Sequence, residues 1–179
     1  MNFVGDLSTK KWSVIALATT LAIIGLVRCC FASDSDPLPY VEIVTNSDLQ
    51  SDGKLSQDSQ KPILILFSME GCAYCRYVEE EHLKPMLRNS TYNQKVIIRR
   101  VMTNNLDEVI DFDGHRISTM ELSERYHAMV TPTVVFVDHK GVELSPRLLG
   151  VSNTEFYGGD IDEGLEISLR KIRKQLALQ

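Results

Sequence analysis

Two of the four cysteines, Cys72 and Cys75, lie in the stretch SMEGCAYCRY, directly after the apolar run ILILF. A C-x-x-C pair can trade electrons as a dithiol and disulfide, supply half of a metal site, or close a structural bridge. A bridge over so short a loop removes little entropy from the unfolded chain, so the structural staple is the poorest of the three. A structural zinc site needs two more ligands, and the four histidines, His82, His115, His127 and His139, contain no H-x3-5-H pair. Two thiolates also suit Cu(I), so a Cu(I)-binding metallochaperone or binding module is the alternative class, although no histidine stands out as a third ligand. Electron exchange is the leading reading. It needs no cofactor and no metal.

The elements around the pair support that chemistry. PILILFS, residues 62–68, is apolar throughout, as expected of a central strand buried on both faces. A helical pattern starts at Cys72, with Tyr74, Val78, Leu83, Leu87 and Met86 able to share a face, and Pro85 is expected to kink or interrupt it. Cys72 therefore falls at a strand–helix junction. Unsatisfied backbone N–H groups and partial positive charge at a helix start favour a thiolate, which is the nucleophile. Cys75, one turn on, is placed to attack a mixed disulfide formed at Cys72 and release the product.

Downstream, KVIIRRVMT (95–103) reads as a second strand and NNLDEVIDFDGHRIS as a loop or small hairpin turning at Asp113-Gly114. Ser118, with Glu121 three residues later, caps a helix. TPTVVFVD is a third strand, VELSPRLLG a fourth, and the terminal segment a helix after Gly158-Gly159, with Ile161, Leu165, Leu169, Ile172 and Leu176 at spacings of three and four. The order is α/β: a central mixed sheet flanked by helices. Residues 33–60 are polar and punctuated by Pro37, Pro39 and Gly53. They read as a linker or N-terminal extension with a short strand at 41–44 and an irregular or weakly helical approach.

The first 32 residues differ from the rest. Lys10 and Lys11 precede Trp12–Val27, 16 residues without a charge, and small residues at Cys30 and Ala32 follow. This is the order of a secretory signal cut after Ala32. A retained N-terminal membrane anchor is the other reading, since a span takes about 20 apolar residues and Arg28 is unusual before a cut. Either way the chain is expected to be exported, to a bacterial periplasm or along a secretory route. The C-terminal LALQ is not an ER-retention signal, which favours the periplasm. Membrane contact is expected only if the segment is retained. A cut removes three basic residues and one acidic residue and takes the net charge from −5 to −7. No basic face is implied, which excludes nucleic acid as a partner. A composition of 44% hydrophobic and 24% charged residues fits one globular domain.

Pro132, in MVTPTVVFVD, could simply begin an edge strand. A C-x-x-C after a buried strand and a Thr-Pro before a later strand point elsewhere. ILILFSMEGCAYC followed by TPTVVFVDHKGVELSPRLLG resembles the thioredoxin family over residues 61–179. More specifically it is similar to exported thioredoxin-like proteins related to those of bacterial sulfur oxidation, in which a DFDG segment (111–114) and an ELSERY-like helix precede the Thr-Pro. The resemblance implies a thioredoxin fold and a thiol–disulfide oxidoreductase. It implies a cis Thr131–Pro132 bond in a loop that lies against the sulfurs and pairs with substrate backbone. It also implies that reductase or general exchanger is favoured over strong oxidant. The partners are then protein disulfides or small thiols, with a membrane thiol carrier as electron donor.

The sequence departs from the family at three places. Gly71 stands where tryptophan is usual, Leu66 replaces the buried aspartate that serves the second cysteine, and Ala73-Tyr74 separates the sulfurs. Glu70 is the nearby substitute for proton transfer, and Tyr74, inside the motif, is expected to shape what docks beside Cys72. EEEH (79–82) reads as a solvated helix face, and Tyr126 and His127 as capping or packing groups.

Overall fold

The computed structural model describes residues 38–45, 48–103 and 107–178. The leader and the start of the expected linker lie outside them, and among the described residues no helix is long and apolar enough to cross a membrane. Residues from Tyr40 onward form one compact unit.

Four strands make the central sheet, in the order β2 (Ile97–Met102), β1 (Ile63–Ser68), β5 (Thr133–Val137), β6 (Leu148–Leu149). β1 runs parallel to β2 and antiparallel to β5, and β5 is antiparallel to β6. Every residue of β1 is buried, which is why its sequence shows no polar alternation. Leu64, Leu66, Ile98, Val134 and Phe136 face one layer, closed by Val78, Leu83 and Met86 and by α6 (Tyr157–Leu176) through Tyr157, Ile161, Leu165 and Leu169. Ile63, Ile65, Phe67, Val135 and Val137 face the other, against Leu49, Leu122 and Tyr126.

The helix after the motif is continuous but changes pitch. α2 (Ala73–Val78) passes through a π-helical turn at Glu79–Leu83 into α3 (Lys84–Arg88), with the Lys84 N–H bonded to the Glu79 carbonyl five residues back. The buried series is Cys75, Val78, Leu83 and Met86. Its gap of five between Val78 and Leu83 can stay on one face only if one wide turn absorbs the extra residue. Tyr74, expected on this face, lies off it and is 58% exposed. Pro85, expected to kink or interrupt the helix, follows directly on the π turn, so the helix changes pitch beside it and does not end.

Of the two readings of the segment before Lys61 the helical one holds: Leu49–Ser59 is an α-helix, α1, capped by Asp48 Oδ1 accepting from the Ser51 N–H at 2.9 Å. The expected strand at 41–44 is reduced to a bridge between Thr45 and Arg100 on the outer edge of β2. VELSPRLLG likewise yields only the two residues of β6 plus a bridge at Glu143, because Pro146 has no N–H for a ladder. α4 (Ser90–Asn93) leads into β2.

The Asp-Gly hairpin forms as read, between β3 (Glu108–Ile110) and β4 (Arg116–Ser118), and Ser118 Oγ caps α5 (Thr119–Arg125) by accepting from the Glu121 N–H at 3.1 Å. Asp111 is 2% exposed and locks hairpin to helix, accepting from the N–H groups of Asp113 and His115 and from Arg125 Nη1 at 2.8 Å. Burial pushes its carboxyl up. The Arg125 bond and the two N–H donors outweigh this and hold it below the ordinary 3.8. A depressed carboxyl stabilises the fold above its unfolded value, and that contribution is lost as pH falls through the lower folded value. Asp111→Asn is therefore expected to cost about 1–3 kcal/mol in urea unfolding at pH 7. The gap from the parent chain should begin to narrow below about pH 4 and narrow further as pH falls. An equal gap at pH 7 and pH 3 would show that charge at Asp111 contributes nothing.

Candidate active site

β1 ends at Ser68, and the chain turns through Met69–Cys72, with the Cys72 N–H bonded to the Met69 carbonyl at 3.3 Å. Gly71 sits in this turn at φ +75°, a conformation side chains with a Cβ rarely adopt, and a Cβ there would meet nothing within 4 Å. Glycine in place of the family's usual tryptophan thus has a backbone cause. Cys72 then caps α2: its Sγ accepts from the Cys75 N–H at 3.1 Å. Cys72 and Cys75 are joined as a disulfide with Cα atoms 5.2 Å apart. Cys72 is half-buried, whereas Cys75 is 1% exposed and points toward the sheet on the same helix face as Val78.

The Thr131–Pro132 loop reaches this end of the sheet by register. Phe67 of β1 pairs with Thr133 of β5, so the residues just before β5 lie level with the residues just after Phe67. Pro132 is buried, Thr131 half-buried, and the bond between them is cis, as the family resemblance implied. The Pro132 carbonyl accepts from the Gly150 N–H at 2.8 Å, which ties the loop to the end of β6.

Leu66 is fully buried between β1 and the helix layer, so the sheet offers no carboxylate there. Glu70 and Tyr74 are exposed around the motif. The EEEH stretch is not one solvated face. Glu80 pairs with Lys84 at the surface and His82 packs on Tyr77 and Tyr157, but the Glu79 side chain is 13% exposed and bonds Arg100 Nη1 at 2.8 Å. Tyr126 packs, as expected, with its O–H donated to the Gly141 carbonyl at 2.7 Å.

Strands, helices, dithiol and proline loop together define a thioredoxin fold with a C-x-x-C pair at its strand–helix junction. The family model for the thioredoxin-like domain matches residues 49–156, and the chain belongs to that family. The match takes in α1. Three solved structures are similar to part of the chain. The germline-specific thioredoxin Deadhead of Drosophila melanogaster is 20% identical, with 68% of this chain and 98% of that chain covered at a TM-score of 0.46. A thioredoxin-fold protein of Helicobacter pylori is 23% identical, with 66% and 86% covered at 0.43. Thioredoxin of Fasciola hepatica is 18% identical, with 68% and 99% covered at 0.47. No curated protein matches the chain.

Proposed function

We propose that the protein is an exported thiol–disulfide oxidoreductase of the type related to bacterial sulfur oxidation, acting on protein disulfides or small thiols. The observation that carries the reading is the asymmetric pair: a half-buried sulfur at the helix start joined to a buried one a turn behind it. Cys72 attacks a partner disulfide as a thiolate, one partner sulfur leaves with the bonding electrons, and Cys75 then attacks Cys72 Sγ to release the second. Thr131 and Pro132 hold the partner backbone, and Tyr74 borders the approach. Reduction is favoured over strong oxidation by family likeness. Turnover outside the cytosol then needs an electron donor, for which a membrane thiol carrier has the right chemistry. The leader supports export, to the periplasm or to its membrane.

Alkylation of the reduced protein tests the assignment. Iodoacetamide below pH 7, followed by mass mapping, is expected to label Cys72 first, because the thiolate is the reactive form and Cys75 is shielded. Labelling of Cys75 first would reverse the roles. Insulin reduction beside a Cu(I) titration of the same reduced protein separates the oxidoreductase from a copper carrier. Tight Cu(I) binding without insulin reduction would favour the carrier.

A further inference from the structure

We infer that Glu79 and Arg100 form a charge pair that sets the ionisation of Cys75. Glu79 lies four residues after Cys75, and its N–H bonds the Cys75 carbonyl. Side chains four apart share a helix face and lean toward the N-terminus, so the Glu79 carboxylate is carried back toward the buried sulfur. Two donors hold it, and the second is itself held. Oε1 accepts from Ser68 Oγ at 3.3 Å, at the end of the strand that leads into the motif. Oε2 accepts from Arg100 Nη1 at 2.8 Å. The other edge of that guanidinium is held by Thr45 Oγ1, at 2.9 Å from Nε and 2.7 Å from Nη2. Arg100 is the direct neighbour of Leu66 in the β1–β2 register and faces the same layer. The carboxylate missing from the strand at Leu66 is thus supplied from the helix.

Among the described residues, the elements packed around Cys75 present the following charged and titratable groups. β1 presents only Leu64, Leu66 and Ser68 on this face, and β2 presents Arg100. α6 contributes Tyr157, which is buried, while Arg76 on the helix and Glu70 on the loop are exposed. Glu79 disfavours a second thiolate at Cys75 while Cys72, at the helix start, ionises, and Arg100 limits that bias. The two residues act through the field at the sulfur and touch no substrate, so they are positioning residues. The use of this bias in turnover rests on the oxidoreductase reading. Its measurement does not.

Opposite signs are the test. In Glu79→Gln the unbalanced Arg100 favours the thiolate, so the pair's thiol pKa, read by thiolate absorbance, should fall by roughly one unit. Measured at a pH above that value, where the thiolate is the populated form, the reduced form gains, and equilibrium with glutathione should shift toward the dithiol by up to about tenfold, about 30 mV more oxidising. Arg100→Gln leaves the carboxylate alone and should move both quantities the other way by a similar factor. The double variant should return close to the parent, and Arg100→Lys, which keeps the charge, should keep the parent's glutathione equilibrium within about threefold. Shifts of the same sign in the two single variants, or none in either, would overturn the inference, as would an Arg100→Lys shift as large as that of Arg100→Gln. If one single variant fails to fold, the sign in the other decides. Absent insulin reduction with opposite-sign shifts would sink the oxidoreductase reading and leave the charge pair standing. Insulin reduction with no shifts would do the reverse.

Discussion

Cys75→Ser is expected to accumulate as a covalent adduct with its partner, whereas Cys72→Ser should trap little or nothing. The expectation follows from geometry and electron flow. Cys72 caps the helix, so its sulfur faces the backbone N–H groups that stabilise a thiolate. An attack from Cys72 on a partner disulfide forms one S–S bond and releases one partner thiolate. The parent chain then breaks that mixed disulfide from within, because Cys75 follows three residues behind. A serine oxygen cannot do so, and the adduct persists until an outside thiol reaches it. Insulin reduction should fall to the uncatalysed rate in the Cys72 variant. The adduct is read on non-reducing gels and by mass spectrometry of the linked peptide. Equal trapping by both variants would remove the case for a defined nucleophile.

Phe136→Ala is expected to destabilise the chain by about 3–5 kcal/mol, the largest effect of any single truncation proposed here. The ring is fully buried in the layer that also contains Leu66 and Val78, so its loss opens a cavity behind the motif helix. It also faces Gly164 of α6, where an added Cβ would meet Phe136 Cε2 at 2.6 Å. α6 approaches the sheet this closely because the glycine leaves room for the ring. Gly164→Ala alone should therefore cost about 1–3 kcal/mol by overpacking. Against the Phe136→Ala background the clash is gone, so the two costs should not add. Urea unfolding of the four chains reads the coupling. Strict additivity would show that the ring and the glycine are not in contact.

Much of this arrangement is written in short stretches of residues. β1 is legible because a strand covered on both faces has no polar alternation, and the Asp113-Gly114 turn and the Ser118 cap are read from residues within four positions of each other. The dithiol chemistry is legible for the same reason, since a strand end, a cap and a three-residue spacing are local. α1 was legible only as one of two readings. Its buried face is Leu49, Asp52, Gly53 and Ser56, three of them polar or small. Asp52 is buried because Arg99 pairs with it at 2.7 Å, and Gly53 because a Cβ would meet the His139 carbonyl at 2.5 Å. Burial there is decided by partners far along the chain, so no period of apolar residues records it. The same holds for the π turn, which exists to bring Leu83 and Met86 onto the face of Cys75 and Val78. It holds most of all for Glu79. In sequence it is one of three consecutive glutamates that look solvated. Arg100, 21 residues on, reaches it only after β2 has paired with β1 and turned that side chain toward the helix. The sequence by itself determined which two sulfurs meet at the strand–helix junction, because that depends on neighbours along the chain. Only the tertiary structure decided which charge stands behind them, because that depends on which strand lies beside β1 and which face its residues present.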